Sequence, residues 1–269
     1  MRDVSFGQYY PANSFVHKCD PRIKLLALIA YIVALFMAKN FYALGACALV
    51  FVAIAIFSKV PIKSLLRSIK AILFLLIFTA VLNLFFHSGE TVLFSWWIIT
   101  ITKEALLFTA FLSTRLFLLV LGTTILTLTT TPVALTDGIE SLLWPLKWTG
   151  LVHLLALVMS IALRFIPILT DETGRIMNAQ KARGADFETG GLLKRVKSLI
   201  PILFPLLISA FRRAEELGDA MDARCYSGSK NRTKYKKLKF GWRDLIATLV
   251  IGGLLAGVII LRAYTPWLI

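Results

Sequence analysis

Acidic residues are scarce in this sequence: 15 Asp and Glu stand against 30 Lys and Arg, a formal net charge of +15. Histidine and cysteine are scarcer still, with three of each. Cys19, Cys47 and Cys225 lie far apart and are odd in number, which argues against a disulfide framework or a zinc site. His17, His87 and His153 are equally scattered, so no metal cluster is visible. No Gly-x-x-x-x-Gly-Lys-Ser/Thr phosphate loop occurs, and the glycine-rich stretch from Gly184 to Gly191 lacks the lysine and a preceding strand. No Ser/His/Asp, Cys/His or paired-carboxylate arrangement has convincing spacing. The chain is therefore read as no enzyme, with no cofactor or metal of its own and no catalytic residue. If ATP drives it, another chain hydrolyses the ATP. A cleaved signal peptide is not expected either, since about two dozen polar residues precede the first apolar run and no small-residue cleavage site follows a short core.

What the sequence has is hydrocarbon. Hydrophobic residues make up 58% of the chain, above the roughly 45–50% of soluble domains, and the excess is gathered in runs that a bilayer accepts. Leu25 to Met37 and Phe41 to Phe57 read as a helical hairpin turning at Lys39-Asn40. Ala71 to Phe86 and Leu106 to Leu128 follow, separated by a loop with the interfacial pair Trp96-Trp97. Leu245 to Leu261 is the last span. With the N-terminus inside, each basic cluster falls on the cytoplasmic side, as the positive-inside rule expects. The segment 131–243 holds 18 Lys and Arg and also falls inside. The fold class expected is an all-α polytopic membrane protein with about five transmembrane helices. It would divide into four spans in 1–131, a cytoplasmic coupling module in 132–243 and a C-terminal transmembrane helix in 244–269.

Within the module, Leu151 to Leu169 is apolar but contains Arg164, and an arginine at mid-bilayer costs at least about 2.5–3.5 kcal/mol. Leu199 to Phe211 is short and carries Pro201 and Pro205. Both read as parts of helices that do not cross. The first long helix runs from about Val152 to Ala182, with Gly184 at its C′ position. Asp171 and Glu172 are candidate partners for Arg164. The second runs from about Leu192 to Arg224, kinked by its prolines and closed by Gly228. Leu207, Phe211, Ala214, Leu217 and Met221 form one apolar stripe on it, and Arg212 pairs with Glu216 on the other face. The basic tract from Lys230 to Lys239 suits anionic lipid headgroups; nucleic acid is the less simple partner, because the basic residues flank apolar runs.

An Ala-Arg-small triplet ends each long helix: Ala182-Arg183-Gly184 and Ala223-Arg224-Cys225. Small neighbours clear space around a guanidinium, whose flat fork of five donors suits the backbone carbonyls or carboxylates of a partner's groove. An arginine attracted by the helix macrodipole is the plainer reading of the same pattern. Arg115, inside the fourth span, is a functional candidate by position or snorkels to the interface.

Four blocks carry a family likeness. They are Phe6-Gly7-Gln8-Tyr9-Tyr10-Pro11 through Ser14, His17, Asp20-Pro21-Arg22 and Lys24-Leu25; Ala162-Leu163-Arg164-Phe165-Ile166-Pro167; Ala179-Gln180-Lys181-Ala182-Arg183-Gly184-Ala185-Asp186; and Met221-Asp222-Ala223-Arg224. In this order, over essentially the whole chain, they resemble the transmembrane T component of energy-coupling factor (ECF) transporters, a CbiQ-like family, and most nearly its shared vitamin-transporter type. The resemblance implies a scaffold in a prokaryotic cell membrane that pairs with two ABC ATPase subunits of the EcfA type and a substrate-binding S component. It places the ATPase-docking arginines at Arg183 and Arg224, and the stripe from Leu207 to Met221 against the S component. ATP would be bound by the partner subunits. Cys225 departs from the commoner glycine, which bears on the geometry of that helix end. The alternatives are a dedicated cobalt/nickel or biotin permease subunit and a stand-alone secondary transporter. To the latter the spans offer Asn83, Thr109, Ser113 and Arg115, a sparse set.

Overall fold

The computed structural model describes residues 9–86, 91–96, 99–143, 145, 151–185, 187, 191–226, 228 and 240–264. The residues Phe6 to Gln8, His87, Trp97, Asp186 and the tract Lys230 to Lys239 lie outside these. The described chain forms eight α-helices and one two-stranded hairpin. The helices are α1 (Pro21–Met37), α2 (Phe41–Ser58), α3 (Ile62–Phe86), α4 (Lys103–Thr129), α5 (Pro132–Leu142), α6 (Leu151–Ala182), α7 (Leu192–Ala223) and α8 (Trp242–Tyr264). The architecture is that of an all-α polytopic membrane protein, with one local difference. The segment between the third and fourth spans is not only loop: β1 (Val92–Trp96) pairs antiparallel with β2 (Ile99–Thr102). Thr91 donates to Glu104 across the base of this hairpin at 2.6 Å.

Length and composition suit α2, α4, α6 and α8 to crossing a membrane, and α3 as well if its two segments, bent by 54°, count as one span. The apolar first half of α6, which the sequence reading kept out of the membrane, thus meets the same criterion as the spans. At 17 residues, α1 reaches about 25 Å, a little short of the roughly 30 Å hydrocarbon layer.

The chain divides into two compact units, residues 1–142 with 237–269, and residues 143–236. In the first, α1, α2, α4 and α8 pack around Leu35, Leu44, Cys47, Leu118, Leu121, Leu254 and Val258, all buried. Hydrocarbon tails are as apolar as leucine, so close packing rather than water exclusion holds such helices together. Small residues make it possible, and Ala34, Ala38 and Cys47 are fully buried. Gly138 brings α5 onto α1, since a Cβ there would lie 3.2 Å from both Leu25 and Pro21. The outward faces of α3 and α8 show residues such as Phe74, Phe86 and Leu249. They suit lipid tails.

In the second unit α6 and α7 pack on each other. Both are 32 residues long, about 48 Å. Helix α7 runs through Pro201 and Pro205 as one element.

Candidate functional site: two arginine-bearing helix tips and an N-terminal clamp

The ends of α6 and α7 are built alike. At α6, the Gly184 N–H donates to the Lys181 carbonyl at 3.0 Å and the Ala185 N–H to the Gln180 carbonyl at 3.0 Å. At α7, the Cys225 N–H donates to Asp222 at 2.9 Å and the Tyr226 N–H to Met221 at 3.1 Å. These are the paired bonds of a Schellman cap. The residue after each arginine must then be left-handed, and Gly184 has φ +85° and Cys225 φ +54°. Cys225 therefore takes the conformation that glycine takes in the first cap. The second helix closes there, three residues before Gly228, which was expected to end it. A left-handed non-glycine residue costs roughly 1–2 kcal/mol, but the geometry of the tip is preserved. In both caps the arginine is the last residue before the turn, and Ala182, Arg183, Gly184, Ala223, Arg224 and Cys225 are all exposed.

An ion pair braces the two helices. Arg213 on α7 donates to the Glu172 carboxylate on α6 at 2.8 Å. Glu172 is thus held by Arg213, across the helix pair, rather than by Arg164 along its own helix. The arms beyond this brace are equal: Glu172 to Arg183 and Arg213 to Arg224 are each eleven residues, about 16 Å of helix. Along the expected stripe, Leu207, Phe211 and Ala214 are exposed, while Leu217 and Met221 are half-buried.

The N-terminal segment forms a clamp at one end of the first unit. Asp20 caps α1 by accepting from the Arg22 N–H at 2.9 Å, with Pro21 in the first turn. The Asp20 N–H donates to Asp244 of α8 at 2.7 Å, and the other Asp244 oxygen accepts from Gly241 at 2.8 Å. Lys24 Nζ donates to the Thr129 carbonyl at the end of α4 at 3.0 Å and to the His17 carbonyl at 3.2 Å. One buried ammonium and one buried carboxylate thereby join α1, α4 and α8. His17 holds the segment itself. Its Nε2 lies 2.9 Å from the Tyr10 carbonyl, which can only accept, so Nε2 carries the proton and Nδ1 accepts from Ser14 at 2.7 Å. Burial pulls the His17 pKa below its ordinary value, in keeping with this neutral ring.

Arg115 reaches from α4 to the end of α1. Its Nη2 donates to the Ala38 carbonyl at 2.5 Å, and its guanidinium lies 4.7 Å from the Phe111 ring centroid. Ala38 is the C-cap of α1, so the arginine on α4 satisfies a carbonyl left free where α1 stops short.

The sequence pattern of the CbiQ family, described as cobalt transport protein, matches residues 12–235. The chain belongs to the CbiQ family. It is 49% identical over 252 residues to the energy-coupling factor transporter transmembrane protein EcfT of Clostridium kluyveri, covering 93% of each chain. The EcfT protein of Thermosediminibacter oceani is 45% identical over 263 residues, 97% of this chain and 99% of its own. That of Lactococcus lactis is 45% identical over 256 residues, 93% of this chain and 96% of its own. These relatives are membrane components of transporters. In this CbiQ-family chain both arginine tips, the Glu172–Arg213 brace and most of the clamp lie within the matched region; Tyr10, Gly241 and Asp244 lie outside it. Among the described residues no group of three or more His, Cys, Asp and Glu could hold a metal ion.

Proposed function

We propose that this chain is the transmembrane scaffold and energy-coupling subunit of an ECF-type importer. Two ABC ATPase subunits seat on the tips at Arg183 and Arg224, hydrolyse the ATP, and move α6 and α7. A substrate-binding S component packs on the stripe from Leu207 to Met221 and turns with those helices to release a vitamin inward. The observation that carries this reading is the likeness of the two tips: the same cap, the same exposed arginine and equal arms beyond one brace. Two equivalent sockets on a pair of ATPases call for such a matched pair. The charge pattern supports placing the tips and the N-terminus in the cytoplasm of a prokaryotic cell, and the names of the relatives support the assembly.

A permease dedicated to cobalt or nickel is the second reading, favoured by the description of the matched family. Purification of the tagged chain from its own cells in mild detergent tests both. Co-purifying ATPases and uptake of a vitamin by the reconstituted complex would support the first reading. Uptake of Co²⁺ instead would select the second, and transport by this chain alone in liposomes would overturn both.

A further inference from the structure

The helical bundle of the first unit is not solid. Between α1, α2, α4 and α8, next to the N-terminal clamp, lies a cavity of about 370 Å³. Phe15 and Cys19 of the clamp segment close one end, and Tyr31, Phe51, Ile125 and Ile251 line the walls. Three lining side chains are polar. Lys24 and Thr129 are committed to backbone carbonyls, and the Tyr31 hydroxyl has no partner. A buried water needs two to four polar partners, and an apolar cavity of roughly 150 Å³ already stays dry and binds benzene. This space is more than twice as large, and its lining loses its dispersion contacts if nothing fills it.

The opening shows what fills it. The exposed lining residues are Ala53 and Phe57 on α2 and Ile246 and Val250 on α8. The mouth therefore faces sideways between two membrane-spanning helices, where the surrounding medium is acyl chain. Two cations flank its polar end. Exposed Lys59 follows Phe57 by two residues, and exposed Arg243 precedes Ile246 by three. The Arg243 guanidinium lies 5.9 Å from the ring centroid of Phe15, at the closed end of the slot. Trp242, beside it, is largely exposed, as suits a residue at headgroup level.

We propose that this cavity binds an anionic glycerophospholipid, one acyl chain entering between α2 and α8 and the phosphate resting at Lys59 and Arg243. A polar vitamin has no recognition groups in this slot. The lipid completes the packing of the bundle directly beneath the clamp.

The test is native mass spectrometry of the full chain, purified with its partner subunits and washed in detergent containing equal phosphatidylglycerol and phosphatidylcholine. The expected result is one retained lipid per chain, with phosphatidylglycerol favoured roughly thirtyfold for two basic contacts. Ala247→Phe, which fills the slot, should abolish retention. Lys59→Gln with Arg243→Gln should bring the two lipids near parity while a lipid stays bound. If Ala247→Phe fails to fold, Ile246→Trp at the mouth replaces it. No retained lipid on the unaltered chain, equal retention of both lipids by it, or undiminished retention by a correctly folded slot-filling variant would each overturn the proposal.

Discussion

Replacing Asp244 by alanine removes the carboxylate that ties the N-terminal segment to α8. It accepts two backbone N–H groups, from Asp20 at 2.7 Å and from Gly241 at 2.8 Å. Hydrogen bonds to a charged group are worth about 1.5–3 kcal/mol each. The two losses are unequal. Gly241 is exposed, so its N–H turns to water. Asp20 is 6% exposed, and its N–H would stay buried without an acceptor. We expect a destabilisation of about 2–4 kcal/mol, the large end of single-substitution effects. Asp244→Asn keeps one acceptor but turns a donor toward the other N–H, and should fall between the two. The assay is thermal unfolding of the purified chain in detergent, with hydrogen exchange of the Asp20 amide as the local readout. Wild-type melting and unchanged protection in Asp244→Ala would refute the claim that this carboxylate joins α1 to α8.

Three further outcomes follow from the same geometry. Cys225→Gly relieves the left-handed strain at the second tip and should stabilise that cap by about 0.5–1 kcal/mol, after the greater freedom of unfolded glycine is offset; slower exchange of the 225 and 226 amides would report it. Arg213→Ala removes a brace whose side chains are about a third exposed, so overall stability should change by less than about 1 kcal/mol, while spin labels on α6 and α7 should show a broader distance distribution between the arms. His17 has its pKa lowered by burial from the ordinary 6.5, so its contribution is full above pH 6.5 and is lost as the pH falls through the folded value. His17→Gln should flatten the stability profile below pH 6.5, and an unchanged acid slope would exclude His17 as its source.

The long-range order of the fold was legible because the bilayer and the helix period write it into the sequence. The bounds of α6 and α7 follow from apolar periodicity, and Gly184 marks a cap that any helix needs. The misreadings have physical causes. The third span was read from Ala71, yet α3 begins at Ile62, because Lys63, Arg67 and Lys70 are exposed and can point to water without breaking a helix. Gly228 looked like the stop of α7, but Cys225 accepts the left-handed turn first. The Ile-Thr alternation from Ile99 to Thr102 is a strand signal, short enough to pass for loop beside two spans. The clamp was not legible: Lys24 and Thr129 are 105 residues apart, and Asp20 and Asp244 are 224 apart. Nothing local in a Lys or an Asp names a partner at such distance. Arg115 gave a signal, as any arginine in a span does, but its acceptor is a backbone carbonyl and leaves no mark in the sequence. Glu172 was visible as a carboxylate on α6; its partner on α7 depends on how the two helices pack.

The proposed seating of the second tip in an ATPase is open to direct measurement. Cys225 is exposed and lies beside Arg224, whereas Cys19 and Cys47 are buried. The rate of maleimide labelling of Cys225 should therefore fall sharply when ATPase subunits assemble on the chain, and recover when Arg224→Ala weakens the docking. Labelling at the same rate in the isolated chain and in the assembled complex would contradict the account, since it would leave the tip outside any ATPase groove.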